Sequence, residues 1–236
     1  SLTNVAFLLL LLLLICRVIN GARISGTLPP SLGNMSFLRS LEVHGETMLV
    51  FEKSRISGTL PPSMWRAPAL ISVTLDMPLL AGTLSPRIAE ASNLEVLRLS
   101  TGHNLISGTV PSCFNKLKNL VSVSLRETRL SGTIASETFN TMEHLLSLIL
   151  DRNRITGHLN FLPRSLETLN LAGNRMSSGL SFCSSERLPR LTYIDVSNNS
   201  FTGRLPVFGN QVEHSSTPAN LPLQCVSFFF FFHFLV

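Results

Sequence analysis

Side chains able to bind a metal, activate a nucleophile or move a proton are thinly spread along this 236-residue chain. Its six histidines, His44, His103, His144, His158, His214 and His233, stand far apart, with no His-x-x-x-His pair. None combines with cysteine at the short spacings a zinc site needs. No glycine-rich phosphate loop occurs, and no Gly-x-Ser-x-Gly nucleophile turn. Glu127 and Asp151 are the best carboxylate pair, but two carboxylates without a base, a nucleophile or an oxyanion site do not make catalytic machinery. The chemistry on offer is recognition. Arg98, Arg126, Arg152, Tyr193 and Asp195 are the residues of choice, because guanidinium groups grip carboxylates with two parallel hydrogen bonds and tyrosine anchors interfaces. No enzymatic activity, cofactor or metal is expected.

What must position these residues is a repeat. A Leu-x-x-Leu-x-Leu frame recurs seven times, at Leu38/Leu41/Val43, Leu70/Val73/Leu75, Leu94/Leu97/Leu99, Leu120/Val123/Leu125, Leu145/Leu148/Leu150, Leu166/Leu169/Leu171 and Leu191/Ile194/Val196. Every one of the 21 positions is aliphatic in a chain that is 44% hydrophobic. Such self-similarity at a period of about 20–30 residues marks a solenoid, in which each coil buries its apolar side against its neighbours. The first, fourth and sixth residues then point inward. The residues between them, among them Glu42, His44, Asp76, Val96, Arg98 and Arg126, and later Asp151, Arg152, Tyr193 and Asp195, line a concave parallel sheet of seven or eight strands.

A second marker keeps step. Gly26, Gly58, Gly82, Gly108, Gly132, Gly157, Gly179 and Gly203 account for 8 of the 14 glycines. The fullest wording is Ile24-Ser-Gly-Thr-Leu-Pro-Pro-Ser-Leu, repeated as Ile56-Ser-Gly-Thr-Leu-Pro-Pro-Ser-Met. Glycine tolerates positive φ and proline fixes φ without donating a hydrogen bond, so a tight bend is expected at the same place in each coil. An asparagine follows the frame at Asn153, Asn174 and Asn199, and at Asn104 after a two-residue insertion. Stacked copies should form a ladder to the backbone. Ser54, Pro78 and Thr128 stand in that place elsewhere, where a weaker ladder and a looser backbone are expected.

The merged pattern, L-x-x-L-x-L-x-x-N-x-L-S-G-T-L-P, resembles the leucine-rich repeat in the subtype typical of plant receptor ectodomains. Its Ser-Gly-Thr-Leu-Pro-Pro wording also looks close to surface antigens of trypanosomatid parasites. The resemblance covers about residues 24–212 and implies an α/β-type solenoid: a right-handed superhelix with a parallel concave sheet and a convex side of turns and 3₁₀ helix. It also implies capping cysteines. The N-terminal pair is missing here, and Cys225 has no evident partner for a C-terminal cap. Cys113 and Cys183 sit three coils apart, about 14 Å at the spacing of stacked strands, too far for a disulfide, and read as small buried hydrophobes.

The chain divides into a signal peptide over 1–22, a solenoid of about eight repeats over 23–212, and a tail over 213–236. The near-pure leucine run from Ala6 to Cys16 followed by Gly21-Ala22 has the form of a cleaved secretory segment, short for a full membrane span. No basic residue precedes it and the chain starts at Ser1, which reads as a truncated start. The tail, with Phe228–Phe232, reads as disordered, as a lipid-anchor signal, or as a degraded gene end. A membrane is therefore reached, if at all, through a C-terminal anchor or an uncleaved N-terminal segment. Net charge is +5, from 19 basic and 14 acidic residues, with no basic stripe along the chain, so nucleic-acid and other polyanion binding is not expected.

Repeat two carries eight extra residues around Met48-Leu49-Val50-Phe51, an apolar tip that serves either as a ligand contact or as a cover for the end of the core. Asn34 and Asn198 fit the glycosylation acceptor pattern. The leading reading is a non-enzymatic recognition module, extracellular or at the cell surface, binding a protein or glycan ligand through its concave face. The alternatives are a display or coat protein, and a truncated, non-signalling copy of a longer receptor.

Overall fold

The structure, a computed structural model, describes residues 25–28, 30–34, 40–44, 55–76, 79–100, 105–204, 206, 212, 214–216 and 223–224. The leucine run, the 45–54 insertion with its apolar tip, Asn104, Ser54, Pro78 and Cys225 all lie outside these residues. Among the described residues, Ser40–His44, Ser72–Asp76, Val96–Ser100, Ser122–Arg126, Ser147–Ile149, Thr168–Asn170, Tyr193–Asp195 and His214–Ser216 pair in chain order as one parallel eight-stranded sheet. The register holds equivalent residues side by side: Val73 beside Leu97, Leu97 beside Val123, Leu148 beside Leu169, and Leu169 beside Ile194. The frame residues of the described coils are buried, from Leu70, Val73 and Leu75 to Leu191, Ile194 and Val196. Each such side chain contributes roughly 1.5–3 kcal/mol, largely offset by chain entropy. Stability therefore resides in the interfaces between coils.

The Ser-Gly-Thr segments correct the expectation of bends alone. They form a second parallel sheet of eight strands, Ser25–Thr27, Arg55–Thr59, Leu79–Thr83, Ile106–Gly108, Arg129–Thr133, Arg154–Gly157, Arg175–Ser178 and Ser200–Phe201. Each strand slips by two residues against the last, so that Ile155 lies beside Gly132 and Met176 beside Gly157. The apolar residue of the third to eighth strands (Leu80, Ile106, Leu130, Ile155, Met176, Phe201) is fully buried and closes the core from this side.

The glycine in this motif has two jobs. Gly157 has φ +80°, and a Cβ there would stand 2.7 Å from Cγ2 of Thr133 in the preceding coil. Gly58, Gly82, Gly108 and Gly132 meet the threonine of the preceding coil in the same way. The repeated Gly-Thr is thus an interlock between coils as well as a bend. Gly179 departs from the expected series: Ser178 occupies the in-register place and itself takes φ +118°.

Past this sheet the chain enters short 3₁₀ turns, Pro30–Asn34, Pro62–Arg66, Pro86–Glu90, Ser112–Lys116 and Ser181–Cys183, as expected for the convex side. In the third of these, Ser85 caps the turn by accepting the backbone N–H of Arg87 at 3.2 Å. Phe114 and Phe139 meet edge to face beneath, with ring centres 6.2 Å apart. Among the described residues no helix is long and apolar enough to cross a membrane.

Candidate binding surface

The concave strands end on a turn whose geometry decides where the charged residues go. Glu127, Arg152 and Asn198 have φ of 53°, 56° and 52°, and Gly173, at the same place in its coil, has 66°. This left-handed step, rare for residues other than glycine, swings the next side chain inward. That next residue is Thr128, Asn153, Asn174 or Asn199, and all four are buried. Asn174 donates to Leu150 O at 2.9 Å and to Leu171 O at 2.9 Å, and accepts from Ile155 N at 3.0 Å. Asn199 repeats the arrangement with Leu171, Val196 and Met176. Thr128 was expected to loosen its coil; instead its hydroxyl donates to Asn153 Oδ1 and joins the ladder.

The ladder brings two of the five candidate residues together with two carboxylates. Arg126 and Asp151 are neighbours at the ends of adjacent strands, with Arg126 Nε 3.1 Å from Asp151 Oδ2. On the next row Arg152 Nη1 pairs with Glu127 Oε1. Arg126 Nε also lies 3.4 Å from Glu127 Oε1, and Arg152 Nε 4.0 Å from Asp151 Oδ2. Four charges of alternating sign thus form a square across two coils. Asp151 is the buried corner, its side chain only 5% exposed, and its Oδ1 has no hydrogen-bond partner. Burial pushes this carboxyl above its ordinary value, against the opposing pull of Arg126 and Arg152.

Tyr193 and Asp195 share one strand two coils further on. The Tyr193 phenol is raised first by burial, then by the Asp195 and Asp151 carboxylates, with Arg126 opposing, which ties it electrostatically to the square. Arg98 stands apart, exposed beside Ser124 and with no ion pair among the described residues. Between Arg98 and Asp195 the middle of the sheet is low: Ser124, Ile149 and Asn170 occupy the equivalent place, flanked by Ser122, Ser147 and Thr168. Apart from the apolar Ile149, these are short polar side chains, which leave room above the sheet and offer hydroxyl and amide groups to a ligand's backbone.

A shallow hollow of about 480 Å³ opens at the rim beside the square, lined by Glu127, Thr128, Arg129, Arg152, Asn153, Arg154 and Gly173. Of its three arginines, sequence reasoning singled out Arg152 and passed over Arg129 and Arg154, since it sought basic residues close along the chain. Arg129, Arg154 and Arg175 each follow directly on the ladder residue, as Thr128-Arg129, Asn153-Arg154 and Asn174-Arg175. That dipeptide was the available signal. Asn34 and Asn198 are both exposed. Cys183 is buried, its thiol pushed up to about 12 by desolvation, whereas Cys113 is only half-buried, contrary to expectation, and donates to Pro86 O at 3.3 Å. Both are free. Among the described residues no cluster of His, Cys, Asp and Glu could hold a metal ion.

The leucine-rich repeat family model matches residues 190–211. Receptor-like protein 35 of Arabidopsis thaliana is 30% identical over 216 residues, which covers 80% of this chain and 22% of that protein. In solved structures, a TDR receptor superposes with a TM-score of 0.68 at 26% identity, over 85% of this chain and 34% of the other. The chain is a plant-type leucine-rich-repeat protein. The Arabidopsis receptor kinase HAESA, solved with the peptide hormone IDA and the co-receptor SERK1, gives a TM-score of 0.67 at 27% identity, covering 80% and 30% of the two chains. This leucine-rich-repeat protein is similar to plant receptor-like proteins and receptors. It spans about a fifth or less of the length of the first receptor-like proteins it matches.

Proposed function

We propose that this leucine-rich-repeat module works on the outer side of the cell membrane and captures an extended peptide on its concave sheet. One observation carries the reading: a low floor of Ser124, Ile149 and Asn170, bounded at one end by Arg98, which makes no ion pair among the described residues, and at the other by Asp195 beside Tyr193. Four strand steps separate the two ends, about 19 Å, which an extended peptide of roughly six residues spans. The floor's short side chains admit a peptide backbone, Arg98 suits a carboxylate, and Asp195 suits an amine or a basic side chain. The peptide hormone bound by HAESA and the plant receptor-like relatives support the same assignment. The leucine run after Ser1 supports a route out of the cell.

A random heptapeptide display library panned on the full chain tests it. Enriched peptides should lose about tenfold in affinity with Arg98→Ala or Asp195→Ala, the value of one good charge-assisted contact. Arg66→Ala, on the convex side, should change nothing. Enriched peptides indifferent to both concave substitutions would remove the reading, and so would a library that yields none. For location, a membrane-impermeant label applied to intact cells should reach the protein.

A further inference from the structure

The outer face of the second sheet carries charge that the sequence, read linearly, conceals. Arg129, Arg154 and Arg175 open three consecutive strands, Arg129–Thr133, Arg154–Gly157 and Arg175–Ser178, and all three are exposed. The register sets Arg154 beside Ser131 and Arg175 beside Thr156. Residues directly opposite in a sheet share a face, as do residues two apart on a strand. The three guanidinium groups therefore leave the same face, with the hydroxyls of Ser131 and Thr156 set between them. A strand separation of about 4.8 Å and a two-residue slip of about 6.6 Å put successive arginines about 8 Å apart along a slanted row.

No carboxylate among the described residues pairs with Arg129, Arg154 or Arg175, while Glu127 and Asp151 are engaged by Arg126 and Arg152. The row also has definite ends: Leu105 and Ser200 hold the equivalent place in the flanking coils. At its near end lies the 480 Å³ hollow, where Gly173, in the place of Glu127 and Arg152, leaves space beside the arginines.

We propose that this strip docks an extended segment of a partner protein whose acidic side chains occur at alternate residues. In an extended chain same-face side chains recur about every 6.6–6.8 Å, and the length of the arginine side chain absorbs the difference from 8 Å. Acidic residues at every position would turn half of their carboxylates away from the arginines. The Thr156 hydroxyl, and the Ser131 oxygen as an acceptor while its proton goes to Gly108 O at 3.3 Å, can serve the segment's backbone, and each guanidinium donates to a carboxylate in a two-bond fork. The strip lies on a different sheet from the concave floor, so the two assignments stand or fall separately.

The probes are fluorescein-labelled heptapeptides of the sequence Gly-Glu-Gly-Glu-Gly-Glu-Gly and its isomer Gly-Gly-Glu-Glu-Glu-Gly-Gly, titrated with the full chain and read by fluorescence anisotropy. The alternating peptide should bind at least about threefold more tightly than the isomer, weaken with added salt, and lose about fivefold with Arg154→Ala. Arg66→Ala, in the convex turn Pro62–Arg66, should leave this binding unchanged, and matching thermal melts of Arg154→Ala and the parent chain would show that the variant folds. Equal binding of the two peptides overturns the proposal, as does indifference to Arg154→Glu. Capture of oligogalacturonate or single-stranded DNA through the same arginines, with neither peptide bound, replaces the protein partner by another polyanion and overturns it too.

Discussion

Asn153 accepts the backbone N–H of Leu130, in the preceding coil, at 3.1 Å, and its amide donates to Leu125 O at 2.7 Å. One side chain thereby satisfies two buried backbone groups of another coil and also receives the Thr128 hydroxyl. Asn153→Ala leaves them without partners. A buried unsatisfied group costs about 1–3 kcal/mol, so the variant should lose about 2–4 kcal/mol in urea unfolding. A loss below about 1 kcal/mol would mean that the ladder is ornamental to stability.

The Gly-Thr interlock separates backbone strain from crowding. Gly203 has φ +90° with nothing within 4 Å of a built Cβ, whereas Gly157 has φ +80° and meets Thr133 at 2.7 Å. Gly203→Ala should cost about 1–2 kcal/mol, the price of positive φ alone. Gly157→Ala should cost more, and Thr133→Ser, which removes the crowded methyl, should recover part of the excess. In the opposite direction, Ser178→Gly should raise stability by up to about 1 kcal/mol, since Ser178 already pays for φ +118°. Equal costs at Gly157 and Gly203 in chemical denaturation would dismiss the interlock.

Asp151 gives the protein a signed pH dependence. Its folded carboxyl lies above the ordinary value of 3.8, chiefly through burial. The folded state then holds the proton more tightly than the unfolded one. The contribution to stability is fully present below the ordinary value and is lost as pH rises through the folded value. Asp151→Asn should remove this component, so the difference between the two stability profiles should slope downward across that window as pH rises. A difference that slopes upward would show that Arg126 and Arg152 outweigh burial.

The two described cysteines should react unequally. Cys183, buried and with its thiol pushed up to about 12, should resist iodoacetamide at pH 8 in the native protein. Cys113, half-buried and only raised, should be modified slowly, with peptide mass spectrometry reporting each site. Modification of both at one rate, without denaturant, would place Cys183 at the surface.

The register of the solenoid was legible in the residues themselves. Apolar positions repeating at one, four and six can only be buried together if coils stack like on like, which is what Leu97, Val123 and Leu148 do. Glycine at a fixed phase likewise required positive φ, and Asn153, Asn174 and Asn199 announced the ladder. The ends of the chain and the repeat-two insertion fall outside what the structure describes. Proximity between side chains on different coils was another matter. Arg126 and Asp151 are 25 residues apart, as are Arg129 and Arg154, and no local pattern records that one pair cancels its charge while the other row does not. That outcome depends on a zero slip in the concave sheet and a two-residue slip in the second sheet. The slips are set by hydrogen bonding between coils, through partners such as Asn153 and Leu130, and a period counted along the chain contains no such information.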